Sequence, residues 1–139
     1  MPQSQIQVSY ADFVHIYTDG SKIGDYNGCS FYDPVALVAA KVNVDDPNVN
    51  IICLEFLAIV EALRYLMSTN YTKIVIFTDS KSSLYHLFAC NRGKLEINEA
   101  YIIIESIETM IRNGISVYLQ WVPSHVGVFV MRSLMSSPK

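Results

Sequence analysis

The sequence predicts one α/β domain with the element order βββαβααβ, and three observations carry that reading. Apolar residues make up 51% and charged residues 17% of the 139 residues, a balance that excludes a disordered chain and suits a sheet buried on both faces. Two strand-like runs, Phe13-Val14-His15-Ile16-Tyr17 and Lys73-Ile74-Val75-Ile76-Phe77, each stop at a Thr-Asp pair, as buried strands ending in turns do. Between them, residues 51–67 hold neither glycine nor proline and have the length of a helix.

Residues 1–12 are polar and without period, a lead-in to a domain spanning 13–128. The first strand is expected to end at Thr18-Asp19-Gly20-Ser21. Residues 28–32 and 36–42 follow as two further strands with Asp33-Pro34 between them, and such short connections favour antiparallel hairpins. The helix over 51–67 is apolar on almost every side, so it packs deep. The strand after it is expected to lie parallel to the first, as strands joined through a helix do. Residues 82–89 and 98–112 read as helices, the second with Ala100, Ile103, Ile104, Ile107 and Ile111 on one stripe and Asn113-Gly114 as its stop. Ile115, Val117, Leu119 and Trp121 then alternate with polar or amphipathic neighbours, a half-buried strand.

The net charge of −3 argues against a protein that grips nucleic acid by bulk electrostatics, so any such contact is local, metal-assisted or supplied by a partner. Cys29, Cys53 and Cys90 are an odd, widely spaced set outside any metal-ligand register, which reads as buried free thiols. No secretory segment or membrane span is legible, and the expectation is an intracellular protein, cytoplasmic or nuclear, without a membrane partner.

Two acids, Asp19 and Asp79, stand at the carboxyl ends of strands read as parallel neighbours, the edge where open α/β sheets bind ligands. Singly, each also fits a plainer role: Asp19-Gly20 is a common turn pair, and Asp79 or Ser80 suits the cap of the next helix. Glu55 lies in a strongly apolar helix, where a carboxylate is costly to bury without a cation or donors, although an acid near a helix start is also favoured by the dipole. Together the three make an oxygen-rich site suited to Mg²⁺. Two such ions about 3.5–4 Å apart can activate water and stabilise the leaving oxygen in phosphodiester hydrolysis.

Taken in order, Ile16-Tyr17-Thr18-Asp19-Gly20-Ser21-Lys22, Leu54-Glu55-Phe56-Leu57-Ala58-Ile59-Val60-Glu61-Ala62-Leu63, Phe77-Thr78-Asp79-Ser80 and Trp121-Val122-Pro123-Ser124-His125-Val126-Gly127 resemble the successive motifs of type 1 ribonuclease H. Their wording is closest to the domains of non-long-terminal-repeat retrotransposons. The resemblance runs from about Val14 to Val128. It implies a ribonuclease H-like fold: a five-stranded mixed sheet, three antiparallel strands then parallel ones, flanked by helices. It implies an endonuclease that hydrolyses the RNA strand of RNA–DNA hybrids with two Mg²⁺ ions, for which Mn²⁺ can substitute. Asp19, Glu55 and Asp79 are then metal ligands, and His125 moves protons or helps release product, although a loop histidine after Pro-Ser is otherwise simply solvated. Gly20 and Ser21 are expected near the hybrid, Lys22 at a phosphate, and Ser80 among the nucleic-acid contacts; the RNA strand is told apart by its 2′-hydroxyls. His15 and His86 match no motif and read as strand packing and helix surface. A reverse transcriptase domain is the implied partner in the parent element.

The family pattern continues with a segment resembling Gly-Asn-Glu-x-Ala-Asp, whose Asp is the fourth metal ligand and which opens a final helix. Here no acid follows Glu108, and residues 129–139 form a divergent tail in that helix's place. Methionine is always ATG, so in the frame begun at the last base of the preceding codon Met131 and Met135 each yield an N-A-T triplet, read as Asn, Asp, His or Tyr. An AGA or AGG codon for Arg132 adds Glu, and TCG for Ser133 with CTN for Leu134 adds Ala. With those codons the shifted frame can spell Asn-Glu-x-Ala-Asp at the family spacing, and the expectation is a frameshift in the gene or its prediction that impairs activity. The alternatives are a catalytically inactive hybrid-binding remnant of a retrotransposon that holds its second ion weakly, and an unrelated α/β domain whose acids are caps and turns.

Overall fold

The computed structural model describes residues 10–91 and 98–123. Its elements are β1 (Val14–Ile23), β2 (Tyr26–Asp33), β3 (Val38–Asn43), α1 (Ile51–Leu66), β4 (Lys73–Thr78), α2 (Lys81–Asn91), α3 (Asn98–Arg112) and β5 (Ser116–Trp121). The order is the expected βββαβααβ. The strands form one sheet in the order β3-β2-β1-β4-β5, antiparallel from β1 through β3 and parallel from β1 through β5. Short turns fold β1, β2 and β3 back on one another, whereas β4 and β5 are each reached through helices, and crossover connections make parallel neighbours. Among the described residues no helix is long and apolar enough to cross a membrane.

The first strand does not end where its sequence suggests. It continues through Asp19, Gly20 and Ser21 to Ile23 because these residues keep pairing with β2, with Gly20 opposite Cys29 and Ser21 opposite Gly28. Only the ladder to β4 stops, at Tyr17 and Phe77. The reversal comes later, at Gly24, whose φ of 59° is one that glycine adopts without a side-chain clash.

α1 lies across the central strands, and its Phe56, Ile59, Ala62 and Leu63 are buried in one cluster with Ile16, Ile74 and Ile76 of the sheet and Ile103 of α3. Asn50 starts the helix by accepting from the Cys53 amide at 2.9 Å, a side-chain cap that satisfies one otherwise orphaned donor. On α3 the buried line runs through Ala100, Ile103 and Met110. Ile111, expected on the stripe, is 53% exposed, because the seven-residue step from Ile103 returns the helix face to Met110 and leaves its neighbour at the margin.

Asp33 ends β2 fully buried. Its Oδ1 accepts from the amides of Val35 and Ala36 at 2.9 and 3.3 Å, and its Oδ2 from the hydroxyls of Tyr65 and Tyr71 at 2.5 and 2.7 Å. One carboxylate therefore ties the β2–β3 turn to the end of α1 and the approach to β4. Four donors are what make an acid tolerable there.

Candidate active site

Asp19 and Asp79 each stand two residues beyond Tyr17 and Phe77, the last parallel rung between β1 and β4. Equal offsets from one rung set the two residues side by side at the same edge of the sheet. The edge is fixed by side chains as well as by the ladder. Thr18 Oγ1 donates to the Phe77 carbonyl at 2.9 Å across the two strands. Thr78 Oγ1 accepts from the Ser80 amide at 3.1 Å, and the Thr78 carbonyl accepts from Val122 at 3.0 Å.

The helix cap that Asp79 or Ser80 suited falls to Ser80, whose Oγ accepts from the Ser83 amide at 3.1 Å. Asp79 thereby presents its carboxylate to the site. Its backbone carbonyl accepts from Trp121 Nε1 at 3.2 Å.

Glu55 reaches the same place from α1. It is 5% exposed and accepts from the Gly20 amide at 3.1 Å through Oε1. That approach needs the glycine: a Cβ at Gly20 would stand 2.7 Å from the Glu55 nitrogen and 2.8 Å from the Leu54 carbonyl carbon. Carboxylate oxygens of Asp19, Glu55 and Asp79 all lie within 4.8 Å of one another. Burial, and then the charges of Asp79 and Asp19, push the Glu55 carboxyl up to about 8 against the opposing pull of the Gly20 amide. Burial also raises Asp79. Three hard oxygen donors this close together form a group that could hold a divalent cation.

The other expected site residues are distributed differently. Gly20 is buried under α1, Ser21 is half-buried, and the exposed Lys22 donates to Asn27 Oδ1 at 3.2 Å and to the Pro47 carbonyl at 3.3 Å. His125 and the tail, 129–139, lie outside the described residues. His15 Nε2 bonds to the Tyr10 carbonyl at 2.8 Å and its ring meets Phe77 edge-on, as strand packing requires. His86 Nδ1 bonds to the Ser82 carbonyl on α2 at 2.8 Å. Cys29 and Cys90 are buried free thiols, whereas Cys53 is half-buried. Two roles escaped the sequence: the Trp121 indole at Asp79, hidden because Trp121 also fits the alternation of β5, and the Asp33 network, hidden because Asp-Pro reads as an ordinary turn.

The RNase H family model matches residues 11–132. The chain belongs to the RNase H family. Solved structures share the fold of this RNase H domain at low identity. The N-terminal RNase H domain of Rv2228c from Mycobacterium tuberculosis, solved as a fusion with maltose-binding protein, is 14% identical with a TM-score of 0.61, over 88% of this chain and 97% of that one. LC11-RNase H1 in complex with an RNA/DNA hybrid is 14% identical with a TM-score of 0.59, over 84% and 89%. The foamy viral protease–reverse transcriptase in complex with dsDNA is 17% identical with a TM-score of 0.64, over 87% and 90%. Among curated proteins, none matches the chain.

Proposed function

We propose that this RNase H domain hydrolyses the RNA strand of RNA–DNA hybrids, with Asp19, Glu55 and Asp79 as ligands of divalent metal ions, Mg²⁺ or in its place Mn²⁺. The convergence of three carboxylates within 4.8 Å at one sheet edge carries the reading. Membership of the family and the hybrid bound by LC11-RNase H1 support it. Bound as a pair, the ions supply activation of water and stabilisation of the leaving oxygen. The chain's own residues hold and orient: Asp19 and Asp79 from adjacent strand ends, Glu55 from α1 with Oε1 fixed by the Gly20 amide. His125 is the candidate for proton movement or product release, and Ser21, Lys22 and Ser80 line the proposed approach of the hybrid, with Gly20 beneath them. A chain of net charge −3 depends on the metals and on these local contacts rather than on a broad basic surface.

The motif wording supports an origin in a non-long-terminal-repeat retrotransposon, inside or outside the cell nucleus, with a domain over 13–128 and a divergent tail over 129–139. A reverse transcriptase is the partner this reading expects, and the foamy viral protein, in which protease and reverse transcriptase are joined, is a structural precedent for such company. The lack of any acid after Glu108 favours a second reading beside the first, an impaired or inactive hybrid-binding remnant. A labelled hybrid incubated with the chain in Mg²⁺ and in Mn²⁺ separates the two. Cleavage abolished by Asp79→Asn supports the enzyme, binding without cleavage supports the remnant, and neither binding nor cleavage defeats both.

A further inference from the structure

The β4 ladder ends at Thr78, so the Asp79 carbonyl must take its donor from outside the sheet's backbone. That donor is the indole of Trp121, at 3.2 Å. Trp121 is itself fixed twice: its backbone pairs with Thr78 on the next strand, and Lys81 Nζ lies 4.6 Å from its ring centroid, within range of a cation–π attraction. The indole N–H has a single direction and the ring few rotamers, so this bond fixes the plane of the peptide that follows Asp79, next to the carbon that carries its side chain. We propose that Trp121 is a positioning residue of the carboxylate site, holding Asp79 at the distance from Asp19 and Glu55 that a divalent ion requires. The inference rests on the metal-site reading above.

Trp121 is the chain's one tryptophan, so labelled protein gives a single indole N–H signal in heteronuclear NMR. The experiment titrates the full chain with Mg²⁺ and follows that signal beside the melting temperature, then repeats the melting series on Trp121→Phe, which keeps a ring for packing and for Lys81 but has no donor. A positioning role predicts an indole signal that moves with the same Mg²⁺ midpoint as the melting temperature. It also predicts a phenylalanine variant that melts near wild type without metal, yet needs roughly fivefold more Mg²⁺, the size of effect one neutral hydrogen bond supplies. A variant that melts much lower but keeps the wild-type midpoint shows packing alone and overturns the proposal. If the variant does not fold, the wild-type signal decides: one that stays still while Mg²⁺ raises the melting temperature overturns the proposal, and one that tracks it supports it. A wild-type chain whose melting temperature ignores Mg²⁺ defeats the metal-site reading itself, and the positioning role with it.

Discussion

Gly20 sits so close to Glu55 that a methyl group on its Cα would stand 2.7 Å from the Glu55 nitrogen. The obstacle is backbone on a packed helix, which cannot swing aside as a long side chain would. Gly20→Ala is therefore expected to push α1 off β1, costing about 1–3 kcal/mol as overpacking does. Thermal denaturation checks the loss. The same shift moves Glu55 away from Asp19 and Asp79, so hybrid cleavage should fall further than the stability loss accounts for. A variant as stable and active as wild type would show that the helix is not held at this contact.

The Glu55 carboxyl gives the metal-free protein a pH dependence. Its pKa rises from 4.5 to about 8 on folding, by burial first and by Asp79 and Asp19 next. The folded state therefore holds this proton more tightly than the unfolded chain does. Its advantage is complete below pH 4.5 and is lost as pH rises toward 8. In chelator, stability should decline across that window. Saturating Mg²⁺ should flatten the decline, because the ion supplies the charge that the proton supplied. Glu55→Gln should flatten it without metal. Chemical denaturation at a series of pH values measures all three, and a metal-free profile without slope would remove Glu55 from the cluster's electrostatics.

Tyr65 and Tyr71 share one oxygen of Asp33, so their contributions should not add. Asp33→Ala leaves two hydroxyls and two amides without their acceptor and is expected to cost about 3 kcal/mol or more. Tyr65→Phe and Tyr71→Phe should each cost less, and the double variant should depart from their sum. Denaturant midpoints for the four variants test this, and strict additivity would mean that the two tyrosines do not act on one group.

Restoring the shifted reading frame after Gly127 should return an acid to the tail and raise hybrid cleavage, since Mg²⁺ sites depend on a complete oxygen shell. The corrected chain should also be more monodisperse, because the present tail places Phe129, Val130, Leu134 and Met135 among residues with no acid. Cleavage rates and gel filtration of the two chains decide. Equal rates and equal monomer fractions would mean that the fourth acid is dispensable in this chain.

The order of elements and the mixed sheet were legible in the sequence, and so was the set of three acids that the fold brings together. Apolar runs, a glycine-free helix and turn residues are local signals, and the four motifs preserve the order of the family along the chain. The sequence could not determine where β1 ends, since Asp19-Gly20 reads as a turn until β2 is seen to pair past it. It left Asp79 and Ser80 equally suited to a cap, and the tertiary structure divided them: Ser80 caps α2, and Asp79 turns to the carboxylates. The role of Gly20 under α1, the two tyrosine hydroxyls on Asp33 and the indole at Asp79 also belong to the tertiary structure alone. Each joins residues 32 to 42 positions apart, or a helix to a strand it meets only after folding. No local pattern encodes which backbone will lie within 3 Å of which side chain; close packing of the finished core decides that.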